Sequence, residues 1–88
     1  MKLRNGFITY NSGSEQIMVA AGAASEVFRG MVRSNGTGAY IIDCLKTEIS
    51  FEELADKLCD RYDAPREVIC RDLERVLATL RQIGALDE

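Results

Sequence analysis

Apolar residues along this chain change their spacing once, near position 35. Before it they come in short β-prone runs, Gly6-Phe7-Ile8-Thr9-Tyr10 and Glu15-Gln16-Ile17-Met18-Val19-Ala20, separated by the turn formers Asn11-Ser12-Gly13-Ser14. Two such runs around such a cluster predict a β-hairpin. A small-residue stretch, Ala21 to Ser25, then leads into Glu26-Val27-Phe28-Arg29-Gly30-Met31-Val32-Arg33, which we read as a third strand. The competing reading, a helix from Ala20 to Val32, would carry Gly22 and Gly30 at a cost of about 1 kcal/mol each. Within a strand, Gly30 marks a bulge or a place where another backbone comes close.

After position 35 the spacing becomes helical. Asn35 is placed to cap a helix from Gly36 to about Leu45, with Ala39, Ile42 and Leu45 on one side and Ile41 beside them. Ser50 followed three residues later by Glu53 has the form of a capping box, and Ile49 with Leu54 occupies the two positions of a hydrophobic staple. A second helix is predicted there, with Phe51, Leu54, Ala55, Leu58 and Tyr62 on its apolar side. Asp63-Ala64-Pro65 ends it and starts a third, whose stripe of Ile69, Leu73, Val76, Leu77, Leu80 and Ile83 runs to a terminating Gly84. At 100° per residue the stripe leaves Arg71, Arg75 and Gln82 opposite, with Val68, Asp72 and Thr79 along one flank. Val68 is the apolar residue that this stripe does not absorb.

The 88 residues fit one domain, divided into a sheet part over 1–34 and a three-helix part over 35–86. With 47% hydrophobic and 28% charged residues the chain has the balance of a folded domain. A net charge of −3 offers no general attraction for a phosphate backbone, so nucleic acid is disfavoured. Neither a secretory signal pattern nor a run of about 20 apolar residues is present, which places the expected location in the cytoplasm, with no membrane partner.

Catalysis and cofactor binding find no foothold in the pattern. There is no His, no G-x-G-x-x-G, no phosphate-loop motif and no G-x-S-x-G elbow, so we expect neither an enzyme nor a cofactor. Cys44, Cys59 and Cys70 are odd in number and lack a C-x-x-C pair, which fits reduced thiols better than disulfides or zinc ligands. Asn35-Gly36-Thr37-Gly38 lacks the Lys of a phosphate loop and reads as a helix start. Glu52, Glu53 and Asp56 suit the positive end of a helix, and Glu53 could pair with Lys57. Arg66, Arg71 and Arg75 after a short break also fit the layout of a helix-turn-helix DNA reader. Against that reading stand the acidic total, a possible Glu67–Arg71 pair, and Asp72 and Glu74 among the arginines.

The run Val32-Arg33-Ser34-Asn35-Gly36-Thr37-Gly38-Ala39-Tyr40-Ile41-Ile42 resembles the segment in which the PqqD family passes from its third strand into its first helix. Ser50 to Leu58, Tyr62-Asp63, Asp72-Leu73, Leu77, Leu80, Gly84 and Leu86 resemble the rest of that family's pattern, while Ser34 departs from it where Leu is common. The resemblance implies an α+β, winged helix-turn-helix-like domain, three N-terminal β-strands followed by three α-helices, of the kind called a RiPP recognition element. It further implies a peptide chaperone that binds the leader segment of a ribosomally made precursor peptide and presents it to a modifying enzyme, often a radical-SAM protein. Such a leader is held by β-strand addition, in which an unpaired edge supplies main-chain hydrogen bonds and side-chain pockets supply specificity. Carried onto this chain, the edge is Val27, Phe28, Arg29, Gly30, Met31 and Val32, and the groove wall is Val68, Arg71, Asp72, Arg75 and Thr79. An open edge could also exchange between two copies and give a homodimer.

Overall fold

The computed structural model describes residues 1–34 and 36–88, so the expected cap at Asn35 lies outside the described residues. Strands β1 (Lys2–Leu3), β2 (Phe7–Ser12), β3 (Glu15–Ala20) and β4 (Met31–Ser34) precede helices α1 (Gly36–Cys44), α2 (Phe51–Arg61) and α3 (Arg66–Gln82), and β5 (Leu86–Asp87) closes the order. This is an α+β fold, a three-stranded antiparallel sheet in the order β2-β3-β4 packed on three helices, as in winged helix-turn-helix domains.

The hairpin closes tighter than its turn formers suggest. Ser12 faces Glu15, so only Gly13 and Ser14 form the loop, and Gly13 takes the left-handed φ of +63° that suits the first position of a two-residue turn. From that register Phe7 and Met18 point inward and are buried, while Ile8, Tyr10, Ile17 and Val19 share the outer face. Gln16 is also buried on the inner face, where its side-chain amide donates to Asp43 of α1 at 2.7 Å.

The third strand is shorter than expected and starts later. Gly22–Glu26 forms a 3-10 helix, Val27 continues it in helical conformation, and β4 begins only at Met31, so Val27, Phe28, Arg29 and Gly30 are not strand residues. The reason is local and tertiary together. Both Val27 N–H and Phe28 N–H donate to Ala24 O at 3.1 Å, and Ala21 N–H donates to Gly6 O at 2.7 Å. A side chain on Gly6 would lie 2.8 Å from Ala24 Cβ, so the small residues of this turn seat directly against the chain entering β2. The stretch therefore coils over its first part and is strand only from Met31. Gly30 lies directly against Phe28. A Cβ there would stand 3.1 Å from Phe28 Cζ, whose ring lies across this point and stacks on Phe7 with centroids 6.5 Å apart.

The helices follow the expected periodicity. Ile41, Ile42, Leu45, Leu54, Leu58, Leu73, Leu77 and Leu80 are fully buried and meet Phe7 and Met18 in one core. Burying each Leu contributes about 1.5–3 kcal/mol before entropy is counted. The start of α2 is the capping box expected: Glu53 N–H donates to Ser50 Oγ at 3.1 Å, and Ser50 N–H to Glu53 Oε1 at 3.2 Å. Ile49 and Leu54, the staple pair, are both buried. Glu53 makes no ion pair with Lys57, nor Glu67 with Arg71, among the described residues.

The end of α3 is a Schellman motif. Ala85 N–H donates to Leu80 O at 2.9 Å and Gly84 N–H to Arg81 O at 3.1 Å, with Gly84 at φ +75°. This turn sends the chain into β5, which pairs antiparallel with β1, Lys2 facing Asp87 and Leu3 facing Leu86. The sequence reading did not include that pair.

Candidate peptide-binding groove

β4 is built as an edge. It pairs with β3 on one side, Met31 facing Val19, Val32 facing Met18, Arg33 facing Ile17 and Ser34 facing Gln16, and no described residue pairs with its other side. Alternation along it leaves Met31 and Arg33 exposed and Val32 and Ser34 half-buried toward the core. Such an edge presents main-chain donors and acceptors to any extended segment laid beside it. The first turn of α1 packs directly on the end of the strand, since a Cβ on Gly38 would touch Ser34 Cβ at 3.6 Å.

The residues expected to form the wall lie on the outer side of α3. Ile69, Leu73, Leu77 and Leu80 face the core, which turns Val68, Asp72, Arg75 and Thr79 to the exposed flank beside them and Arg71 further round, away from the core. Val68 is 37% exposed on that flank. Arg75 reaches Asp72 at 3.9 Å in an exposed and loose pair, while Thr79 Oγ1 donates to Arg75 O at 3.2 Å. Arg29, Arg33 and Arg71 have no salt-bridge partner among the described residues. Among the other α3 arginines, Arg66 is held by Asp56 at 2.7 Å and Arg81 by Glu88 at 2.7 Å.

Of the six residues first assigned to the edge, Met31 and Val32 stand in β4, and Arg33 and Ser34 complete it. Val27 sits elsewhere: its Cγ1 would be only 2.7 Å from a Cβ on Gly84, so it leans on the end of α3. With Arg4, Phe7 and Ala24 it lines a shallow cavity of about 210 Å³.

A second and larger cavity, about 300 Å³, opens where α1 starts, α2 ends and α3 begins. Leu58 and Ile69 are its buried wall, Tyr62 and Thr37 are half-buried, and Asp63, Ala64 and Asp72 line its exposed side. Tyr62 is fixed from behind. Its ring meets Tyr40 edge-on at 6.4 Å, and the Arg61 guanidinium lies 4.4 Å from the Tyr40 centroid and 5.8 Å from that of Tyr62. Burial, with a smaller contribution from Cys44, pushes the Tyr40 phenol above its ordinary value, against the pull of Arg61. Sequence reasoning singled out only Asp72 here. The available signal was the position of Tyr62 and Asp63 at the break before Pro65, where the chain turns from α2 into the helix that carries Asp72.

Cys44, Cys59 and Cys70 are free, partly buried thiols, one in each helix, and Arg66 Nη1 lies 3.9 Å from Cys59 Sγ. No cluster of three metal-ligating side chains occurs among the described residues. Nor is any described helix long and apolar enough to cross a membrane.

A sheet with one open edge, followed by three helices of which the last presents an exposed flank, defines the α+β, winged helix-turn-helix-like class. Within that class the chain belongs to the family described as Coenzyme PQQ synthesis protein D (PqqD), which it matches over residues 11–86. Its fold is similar to that of TbiB1 in complex with the TbiA(beta) leader peptide, at 21% identity and a TM-score of 0.79, over 99% of this chain and 100% of that one. It is also similar to lasso peptide synthetase B1 complexed with the leader peptide, at 21% identity and a TM-score of 0.77, over 98% of this chain and 96% of that one. No curated protein matches the sequence.

Proposed function

We propose that this chain is a non-catalytic recognition domain that binds the leader segment of a ribosomally synthesised precursor peptide by strand addition to β4 and presents it to a modifying enzyme. The observation that carries the reading is the unpaired edge Met31–Ser34, in a PqqD-family domain whose fold matches two structures that hold leader peptides. In this reading Val68, Asp72, Arg75 and Thr79 form the wall that meets the leader, with the exposed Val68 offering an apolar contact and Arg75 a charge. A radical-SAM protein is the kind of modifying enzyme that the family resemblance suggests, and the cytoplasm is the compartment where it would work. Exchange of β4 between two copies would use the same edge and give a homodimer. The DNA-reading alternative is weakened because Arg66 and Arg81 already have carboxylate partners, and Asp72 and Glu74 lie between the remaining arginines of α3.

The test is an NMR titration of the labelled domain with a synthetic leader segment of a candidate precursor peptide. Amide shifts and slowed hydrogen exchange are expected at Met31–Ser34 and along the Val68–Thr79 flank. Affinity should fall for Val68→Asp and Arg75→Glu. Wild-type affinity in both variants, or shifts confined to β2 and α2, would remove the groove from consideration. Raising the salt concentration separates the alternatives, since duplex affinity falls steeply with ionic strength while main-chain and apolar contacts respond less.

A further inference from the structure

The 300 Å³ cavity at the start of α3 has a chemistry of its own. That volume is at the low end of the roughly 300–1,000 Å³ typical of ligand pockets, which suits one long side chain better than a whole small molecule. Its wall of Leu58, Ile69 and Tyr62 is largely apolar, half-buried Thr37 adds a polar residue, and the exposed side carries Asp63 and Asp72.

The nearby cations do not neutralise those carboxylates. Arg61 lies over the Tyr40 and Tyr62 rings, and Arg66 is drawn to Asp56 at 2.7 Å. Arg75 reaches Asp72 only at 3.9 Å, with its side chain 74% exposed, and Asp63 has no salt-bridge partner among the described residues. An apolar slot bordered by one unpaired acid, Asp63, and one only loosely paired, Asp72, favours a side chain with a long hydrocarbon stem and a positive tip, because such a residue buries its stem while its charge meets the carboxylates.

We propose that this cavity is a specificity pocket for a lysine or arginine side chain of the bound leader. The inference rests on the leader-binding reading, and it places the basic residue where the peptide passes the end of β4, since Thr37 stands in the α1 turn that packs on Ser34. It also gives the groove a polarity, acidic at Asp63 and Asp72 and basic at Arg75, one turn past Asp72 along α3. A leader matched to it carries its basic residue at one end of the docked stretch and its acidic residue toward the other.

Single-residue probes test the pocket apart from the edge, since one blocked amino acid adds no strand. The labelled domain is titrated into the millimolar range with the Nα-acetyl N-methylamides of lysine, norleucine, tyrosine and glutamate, following the amides of Leu58, Tyr62, Ile69 and Asp72. Lysine is expected to bind roughly five- to tenfold more tightly than norleucine, the size that two partly exposed ion pairs give. Glutamate should bind more weakly than either. Asp63→Asn and Asp72→Asn should each reduce the preference and the double variant erase it, while Asp60→Asn, on the exposed side of α2, leaves it intact. Equal shifts from lysine and norleucine, a stronger response to tyrosine, a preference that survives the double variant, or no response to any probe would each overturn the proposal. If the lysine probe fails while a leader segment still protects Met31–Ser34, only the pocket's chemistry falls and strand addition stands.

Discussion

Replacing Gly84 by alanine tests how the end of α3 and the segment before β4 are fastened together. Gly84 holds φ +75° inside the Schellman turn, and a Cβ there would lie 2.7 Å from Val27 Cγ1. Two costs follow. Forcing an L-residue into the left-handed region costs about 1–2 kcal/mol. A contact that close adds overpacking, typically about 1–3 kcal/mol, reduced here because Val27 is 62% exposed and can yield. We expect Gly84→Ala to destabilise the domain by about 2–4 kcal/mol in the wild-type background and by only about 1–2 kcal/mol in Val27→Ala, a coupling of about 1–2 kcal/mol. Urea unfolding followed by circular dichroism measures each corner of the cycle, and each kcal/mol should also lower Tm by about 4–8 °C in a domain of this size. An equal loss in both backgrounds would show that Val27 does not rest on the turn. A loss near zero in either would show that the turn is not held in its left-handed form.

Ser50→Ala removes the acceptor for Glu53 N–H and should cost about 1 kcal/mol of unfolding free energy, whereas a change within error would mean that the capping box frays in solution. Phe28→Ala removes a half-buried ring stacked on Phe7 and should cost about 2 kcal/mol, with faster hydrogen exchange at Met31–Ser34; unchanged exchange there would uncouple the ring from β4. The hydrogen bonds from Arg81 to Glu88, at 2.8 and 2.7 Å, hold the Glu88 carboxyl below its ordinary value. Because the folded form is the more acidic, the pair's contribution is complete above the unfolded value of about 4.3 and is lost as pH falls through the lower folded one. Wild type and Glu88→Gln should therefore differ in stability by a constant amount above about pH 5 and converge in acid, and a difference that grows on acidification would contradict the assignment.

The helices were legible because each start and stop is written locally. Ser50, Glu53, Pro65 and Gly84 act on neighbouring backbone groups, and the Leu and Ile stripes repeat long enough for their period to declare itself. The hairpin was legible for the same reason. What the sequence did not reveal depends on partners far along the chain. The coil over Gly22–Val27 is seated on Gly6, and neither segment signals the other, so a β-prone run beginning at Val27 passed for strand. The pairing of Lys2–Leu3 with Leu86–Asp87 is too short to show alternation and joins residues more than 80 positions apart. For the candidate site, Val68 and Asp72 could be placed because α3 is regular. The cavity around Tyr62 and Asp63 could not, because three helix ends must meet before it exists.

The β1–β5 pair brings Lys2 and Asp87 side by side on neighbouring strands. Leu3 and Leu86 of this pair are buried in the core, so the two paired segments lie against the body of the domain. A larger polypeptide could carry it spliced into a surface loop, because the host's entry and exit points need stand only about 5 Å apart, the spacing of paired strands. Such a graft would leave β4 and the outward flank of α3 untouched.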